Sequence, residues 1–320
     1  MTHMIQATGL VKTYKEVNAL DGLDLCVPQG SVLGLLGPNG AGKTTAVRIL
    51  TTLLKANSGQ ATVAGFDVLK QPDEVRKNIG LSGQFAAVDE YLTGFENLRM
   101  VARLYGMNVR DASARARELL ERFGLNDAAD RPSKTYSGGM RRRLDLAGAL
   151  VANPPVLVLD EPTTGLDPGS RQQMWDVIEG LVANGTTLLL TTQYLEEADL
   201  LADNIIVINH GRAIAEGTAD QLKSRTGGQR IDVLTEHLED TARTAALVDQ
   251  VSLGNVKVKG RSVSAAISGD GASHLVRVGQ SLIDAGIPVL DLGLRRPTLD
   301  DVFLALTGRD TTDASTEDEA

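Results

Sequence analysis

The sequence has a single cysteine, Cys26, so the chain cannot close an internal disulfide and has no cysteine cluster for a metal. This suits a reducing compartment such as the cytosol, where we expect Cys26 to be a small core residue. The histidines are also few, and their spacing matches no zinc site. They are His3, His210, His237 and His274.

Long apolar runs are absent as well. No segment approaches the roughly 18 to 20 apolar residues that a spanning helix needs, and the N-terminus lacks the charged-then-apolar pattern of a secretory signal. Hydrophobic residues make up 42% and charged residues 23%, which is ordinary globular usage. We therefore expect a well-cored chain that does not itself cross a bilayer.

Excess positive charge is the third absence. The chain has 32 Lys and Arg against 41 Asp and Glu, a formal net charge of −9. Five acidic residues and no Lys or Arg fall in the last eleven positions, so the rest carries −4. This balance disfavours nucleic acid as a partner, because such a partner calls for a basic domain. The acidic end, residues 309–320, is predicted to be a disordered, solvated tail.

What is present centres on Gly37-Pro-Asn-Gly-Ala-Gly-Lys-Thr-Thr45, which fits the phosphate-loop pattern G-x-x-x-x-G-K-[ST]. A short apolar run precedes it, typical of a buried parallel strand, and helical spacing follows it to Leu54. Backbone N–H groups of such a loop surround phosphate oxygens; Lys43 would reach the outer phosphates and Thr44 would ligate Mg²⁺. The predicted nucleotide-binding residues here are Gly37, Pro38, Asn39, Gly40, Ala41, Gly42, Lys43, Thr44 and Thr45.

A second apolar strand, Val156-Leu-Val-Leu-Asp160, ends in two carboxylates, Asp160 and Glu161. Ligands of open α/β sheets bind at the carboxyl ends of strands, so both side chains should lie near the phosphates. We predict that Asp160 belongs to the Mg²⁺ shell, through a water molecule. Glu161 is predicted to polarise a water for in-line attack on the γ-phosphate.

Three further features have both a functional and a structural interpretation. Gln84 follows the predicted strand from Ile79 and is placed to coordinate Mg²⁺ and sense the attacking water. Ser137-Gly138-Gly139 opens a helix and could bind an anion, although an ordinary capped helix has the same pattern. Tyr14 lies on a strand ahead of the phosphate loop, where it could stack on a base or simply pack in a sheet.

In this order, over residues 5 to 220, these features and the Gly165-Leu-Asp167 loop resemble the nucleotide-binding domain of an ABC transporter. The resemblance implies an α/β P-loop NTPase fold with an antiparallel β subdomain and a helical subdomain, binding ATP and Mg²⁺. It also implies a head-to-tail homodimer in which Ser137, Gly138 and Gly139 cap the γ-phosphate held by the other subunit. Tyr14 would stack on adenine, Gln84 would act in catalysis and coupling, and Asp167 would be a cross-dimer loop residue.

The sequence departs from the family pattern at two places. The signature is Tyr-Ser-Gly-Gly-Met, and its changed residues, Tyr136 and Met140, flank the Ser-Gly-Gly, so phosphate binding should survive. Gln193 stands where the family usually has the switch histidine. A glutamine can donate a hydrogen bond to a γ-phosphate oxygen but cannot carry charge, so we expect slow but real hydrolysis with Gln193 as a catalytic residue.

After residue 228 the pattern changes to β-α-β-β-α-β, ending in a helix with a Thr298-x-x-Asp301 start. We predict an ATP-binding domain over 4–226 and a small α+β accessory domain over 229–308. The apolar stripe of the last helix would pack within its domain or dock on a partner. This region and the stretch around Gln193 resemble the daunorubicin-resistance group of ABC ATP-binding subunits.

That resemblance implies a peripheral ATPase on the cytoplasmic face of the membrane, paired with a separate permease and exporting hydrophobic drugs, antibiotics or lipids. The segment with Phe85, Tyr91 and Leu92 would contact the permease or else pack locally. The alternatives are a soluble ABC ATPase in translation or repair, and a nucleotide-dependent switch that dimerises but barely hydrolyses.

Overall fold

A computed structural model describes residues 2–83, 87–225, 229–254, 256–295 and 298–307. The chain divides into two compact units, Met1–Ala219 and Asp220–Ala320. This division falls a few residues before the end of the predicted 4–226 domain, and the predicted domain limits remain predictions. The predicted tail, 309–320, lies outside the described residues.

The first unit combines two sheets with a helical region. Its strands are β1 (His3–Tyr14), β2 (Val17–Pro28), β3 (Val32–Leu36), β4 (Ser58–Val63), β5 (Phe66–Asp67), β6 (Ile79–Ser82), β7 (Val156–Asp160), β8 (Thr187–Thr192), β9 (Asn204–Asn209) and β10 (Arg212–Gly217). Its helices are α1 (Lys43–Leu50), α2 (Pro72–Lys77), α3 (Gly94–Leu104), α4 (Val109–Arg122), α5 (Gly138–Ala149), α6 (Pro168–Ala183) and α7 (Leu195–Leu201). The helix α8 (Ala219–Arg225) begins at the boundary.

The smaller sheet is antiparallel, in the order β2-β1-β4-β5. Its first hairpin turns at Lys15, whose φ of 52° lies in the left-handed region. The antiparallel β subdomain implied by the family resemblance is confirmed. Cys26 lies on β2 half-buried rather than in the core, because its thiol faces His3 Nδ1 across the pair at 2.8 Å. Burial raises the pKa of the Cys26 thiol, and the charge of Glu216 adds to that rise.

The larger sheet has the order β10-β9-β3-β8-β7-β6, with parallel pairing from β9 to β6 and β10 antiparallel at the edge. The strands β3, β8 and β7 are buried on both faces. In β7, Val156 and Val158 pack with α1 and the antiparallel sheet, while Leu157 and Leu159 pack with the helical region. The continuous apolar pattern of β7 is explained by these two cores.

The helical region contains α3, α4 and α5. A capping box starts α3: Thr93 Oγ1 accepts from Glu96 N at 3.1 Å, and the Glu96 carboxylate accepts from Thr93 N at 2.9 Å. Arg115 of α4, although it looks like one of many exposed charges, is half-buried. It donates to the carbonyl oxygens of Leu150 and Val151 and so satisfies the C-terminal end of α5.

The second unit has its elements in the order expected from the sequence. They are β11 (Arg230–Thr235), α9 (Thr241–Asp249), β12 (Lys257–Lys259), β13 (Ser262–Ala266), α10 (Gly271–Asp284), β14 (Val289–Arg295) and α11 (Leu299–Thr307). The sheet is antiparallel, in the order β12-β13-β11-β14. Alternate residues of β11, Ile231 and Val233, join Val278 and Leu282 of α10 in the core. The predicted start of α11 is confirmed by reciprocal hydrogen bonds between Thr298 and Asp301.

Candidate functional site

Four neighbouring parallel strands of the larger sheet end side by side, because their registers place Leu36, Thr192, Asp160 and Ser82 at the same edge. The phosphate loop follows β3, Gln193 follows β8, and Glu161 follows Asp160 at the end of β7. The fold therefore brings these sequence-distant predicted residues to one edge. Gln84, predicted near the end of β6, lies outside the described residues.

The glycines of the phosphate loop are required by close packing. A Cβ added at Gly37 would lie 2.3 Å from the Ile208 carbonyl oxygen. At Gly42, where φ is 110°, it would lie 2.3 Å from the Ala19 carbonyl oxygen. No ordinary side chain fits at either distance. The loop is thus wedged against β2 and β9 and leads directly into α1, so its N–H groups are held at a helix N-terminus.

Lys43 is buried, with only 4% of its surface exposed. Its ammonium donates to the carbonyl oxygens of Gly37 at 2.7 Å and Pro38 at 3.2 Å, and lies 3.2 Å from Glu161 Oε1. Burial lowers the Lys43 pKa, and the adjacent carboxylates of Glu161 and Asp160 oppose that effect. The buried cation therefore depends on anionic oxygen partners, a role that nucleotide phosphates can also fill.

Oxygen ligands suited to Mg²⁺ gather beside the lysine. Thr44 Oγ1 lies 3.4 Å from Asp160 Oδ1, which also accepts from Thr191 Oγ1 on β8. Asp160 is 3% exposed and fixed by these contacts. A hydroxyl and a carboxylate at the phosphate loop are the hard oxygen donors that Mg²⁺ prefers beside substrate phosphates, so the residues fit the ion.

Glu161 has an unusual backbone conformation. Its φ of 52° lies in the left-handed region, which residues other than glycine seldom adopt. Its N–H donates to Thr191 O at 3.0 Å and Oγ1 at 3.1 Å. Its Oε2 lies 3.4 Å from Thr164 Oγ1. Such a conformation costs about 1 to 3 kcal/mol and persists only where the surroundings enforce it, which is common at functional sites.

The other predicted residues lie at exposed ends of elements. Tyr14 is 44% exposed at the end of β1, with Lys12 Nζ 5.5 Å from its ring centroid. Ser137 caps α5 by accepting from Met140 N at 3.2 Å and is exposed, as is Gly138. Gly139 is buried, and a Cβ there would lie 2.6 Å from Ser170 Oγ.

Tyr136, the first departure from the family signature, has a structural explanation. The side chain is buried, and its hydroxyl donates to the Ala128 carbonyl oxygen at 2.6 Å. A Cβ on Gly94 would collide with that hydroxyl, so the tyrosine is fitted to the start of α3. Tyr136 therefore supports the helical region and leaves Ser137 free at the surface.

Asp167 and Gln193 complete the predicted set. Asp167 is exposed and caps α6, accepting from Ser170 N at 3.1 Å and Ser170 Oγ at 2.6 Å. These hydrogen bonds lower the pKa of the Asp167 carboxyl. Gln193 is half-buried between the end of β8 and the start of α7. The position of Gln193 at the sheet edge agrees with a role near the phosphates.

Sequence reasoning missed three buried charged residues around this edge. Arg142 of α5 donates to main-chain carbonyls around Glu161. Asp145, one turn further, accepts from Ser82 Oγ at 2.6 Å and Ala87 N at 2.7 Å. Glu197 of α7 accepts from Thr163 Oγ1 at 2.9 Å and from the indole N–H of α6. In the sequence, only the i,i+3 spacing of Arg142 and Asp145 indicates that two of these charged side chains could pair.

Three features together define an ATP-binding cassette. They are the phosphate loop, the buried strand that ends in Asp-Glu, and the Ser-Gly-Gly at the start of α5. The family model described as ABC transporter matches residues 20–164. The chain is 53% identical over 320 residues to the daunorubicin resistance ATP-binding protein DrrA2 of Streptomyces coeruleorubidus, covering 99% of both. It is 50% identical to the daunorubicin/doxorubicin resistance ATP-binding protein DrrA of Streptomyces peucetius, covering 100% of this chain and 97% of that protein.

The chain therefore belongs to the ABC transporter family, as an ATP-binding subunit with an ATPase domain. Among solved structures it is similar to a dimeric ATP-binding cassette in a post-hydrolysis state bound to ADP and Pi. That likeness has a TM-score of 0.62 and 26% identity, covering 67% of this chain and 98% of that chain. The family resemblance expected from the motifs is confirmed, and these relatives do not favour a role in translation, repair or simple switching.

Proposed function

We propose that this chain hydrolyses ATP to power export of a hydrophobic drug, antibiotic or lipid through a separate membrane permease. The observation that carries the proposal is the similarity, over nearly the whole of both chains, to proteins named for daunorubicin resistance. Within the described ranges no helix is long and apolar enough to span a bilayer. In this proposal the pore belongs to a second protein, on which this subunit docks peripherally at the cytoplasmic face.

The proposed chemistry begins with an exchange of partners at Lys43. An incoming triphosphate offers oxygens to the buried Lys43 ammonium, which lies 3.2 Å from Glu161 Oε1. Phosphate binding thereby releases the Glu161 carboxylate. The freed carboxylate accepts a proton from a water whose oxygen attacks the γ-phosphorus as ADP leaves.

The remaining residues bind and orient. Thr44 and Asp160, together with Gln84, would hold Mg²⁺, which would offset the negative charge of the phosphates. Gln193 donates to a γ-phosphate oxygen, and Tyr14 stacks on adenine. Two subunits pair head to tail, so that Ser137, Gly138 and Gly139 of each complete the other's site while Asp167 lies at the interface. The dimeric cassette among the structural relatives supports the pairing of two subunits.

The test uses the full chain carrying Glu161→Gln, which should hold ATP without hydrolysing it. The tagged protein is incubated with ATP and Mg²⁺ and used to capture partners from detergent extracts of native membranes. A multi-span membrane protein is expected to co-purify. The captured membrane protein is then reconstituted in vesicles with the wild-type subunit. These vesicles should transport daunorubicin only when ATP is present. Capture of ribosomal or DNA-repair proteins instead would contradict the proposal.

A further inference from the structure

The Arg142 guanidinium is almost fully buried, with 7% exposure, and makes contact with successive main-chain carbonyls. Nε donates to Pro162 O at 2.8 Å, and Nη2 donates to Glu161 O at 3.0 Å and to Asp160 O at 3.2 Å. Nη1 donates to Gly83 O at 2.5 Å, at the end of β6. A planar guanidinium with five N–H donors can satisfy several carbonyls at once, and lysine cannot reproduce that geometry.

These contacts hold the residue whose backbone is strained. The Glu161 N–H side is fixed by Thr191 of β8, and its carbonyl side by Arg142 of α5. Because φ is 52°, Glu161 would relax toward the right-handed or extended region if one side were released. Its carboxylate would then move away from the phosphate loop, where it now lies beside Lys43.

The far end of the loop that follows Glu161 is also held by α5. Gly139 of α5 packs so closely on Ser170 that a Cβ would lie 2.6 Å from its hydroxyl. Ser170 in turn donates to Asp167 Oδ1 at 2.6 Å. The segment from Glu161 to Asp167 is therefore braced at both ends by α5, the helix that Ser137 caps.

We propose that Arg142 is a positioning residue that fixes the Glu161 backbone and links it rigidly to the signature helix α5. This inference rests on the proposed function, in which α5 contacts the ATP held by the other subunit. Engagement of that ATP by Ser137 would thus be transmitted through Arg142 to the chain's own Glu161. The two ATP sites of the dimer would then hydrolyse cooperatively.

The charged groups around Arg142 favour a positioning role for its guanidinium over a role in packing alone. Burial lowers the pKa of Arg142, while the carboxylates of Asp145, Asp160, Glu197 and Glu161 raise it. An arginine stays charged despite such burial. The cation therefore depends on its carbonyl and carboxylate partners, and the fold keeps them in place around it.

The experiment compares Arg142→Lys and Arg142→Met with Arg143→Met in the full chain. Arg143 is the matched control: it is the next residue of α5, but it donates to Phe123 O in the helical region at 3.0 Å. Both Arg142 variants should lower kcat by about 100-fold, the scale expected when a catalytic group is misplaced by about 1 Å. Their Kd for ADP should stay within about threefold of wild type, because the phosphate loop is untouched, and the Hill coefficient for ATP should fall to about 1.

Arg143→Met should behave as wild type. Wild-type kcat in Arg142→Lys would overturn the proposal, as would equal losses of ADP affinity and kcat, which would indicate general unfolding. If Arg142→Met does not fold, Arg142→Lys decides, since it keeps the charge. If the wild-type chain itself never hydrolyses ATP, the proposed function fails, and hydrogen exchange decides the inference. Peptides covering 160–167 should exchange about tenfold faster in Arg142→Lys, and unchanged exchange would overturn it.

Discussion

The ion pair between Lys43 and Glu161 predicts that removing the Glu161 charge lowers the stability of the protein but raises its affinity for ADP. Both side chains are buried, at 4% and 8% exposure, and their charged atoms are 3.2 Å apart. Glu161→Gln keeps the shape but removes the charge. We expect the variant to be less stable without nucleotide and to bind ADP more tightly, because Lys43 loses a carboxylate partner that competes with phosphate.

The size of the stability loss depends on the hydrogen bonds that Lys43 keeps in Glu161→Gln. A charged hydrogen bond contributes about 1.5 to 3 kcal/mol and a neutral one about 0.5 to 1.5 kcal/mol. The ammonium keeps its bonds to Gly37 O and Pro38 O, so the full loss expected for a broken buried pair does not apply. A net loss of about 1 to 2 kcal/mol lowers Tm by about 2 to 8 °C in a domain of this size. The same energy no longer opposes phosphate binding, so Kd for ADP should fall about tenfold.

The assays are thermal unfolding and calorimetric titration with ADP. ADP is used because it lacks the γ-phosphate on which the proposed dimer depends, so the measurement reports on a single subunit. The control is Glu179→Gln, which removes an exposed carboxylate from α6 and should change neither quantity. An unchanged Tm together with an unchanged ADP affinity in Glu161→Gln would refute the competition between carboxylate and phosphate.

Three other substitutions test separate parts of the account. Gln193→Ala should lower ATP turnover by about 10 to 1000-fold, the range for losing one oriented donor, and wild-type turnover would remove that role. Gly42→Ala should abolish ADP binding in calorimetry, because its Cβ would meet the Ala19 carbonyl oxygen at 2.3 Å. As pH rises above about 4.5, the free energy of unfolding of Glu197→Gln, measured with urea, should increase relative to that of wild type. Burial raises the folded-state pKa of Glu197 against its lowering hydrogen bonds, so the native state binds the proton more tightly and wild type loses stability through that window. A pH-independent difference would contradict this assignment.

The phosphate loop and the strand ending at Asp160 could be predicted from sequence because their chemistry and secondary structure occupy contiguous residues. The strand β3, the loop that follows it and α1 form the strand-loop-helix unit expected of the motif, and the apolar run of β7 is buried on both faces. The capping box at Thr93 could be predicted for the same reason, since its partners are three residues apart.

The buried charges could not be predicted, because their partners come from distant segments and are largely main-chain atoms. Arg142 follows Arg141 and precedes Arg143, so its position looks like part of a solvated cationic cluster. Only the folded chain brings the carbonyls of Asp160 and Glu161 to it. Arg115 likewise looks like one member of an exposed charged face, but it satisfies the end of α5.

In the proposed function, two copies of this chain close over ATP, and each completes the other's site. The most direct test is the solution mass of the purified Glu161→Gln subunit by light scattering, with and without ATP and Mg²⁺. We expect a mass near 34.0 kDa without nucleotide or with ADP, and about twice that mass with ATP. A subunit that stays at 34.0 kDa with saturating ATP and Mg²⁺ would contradict it.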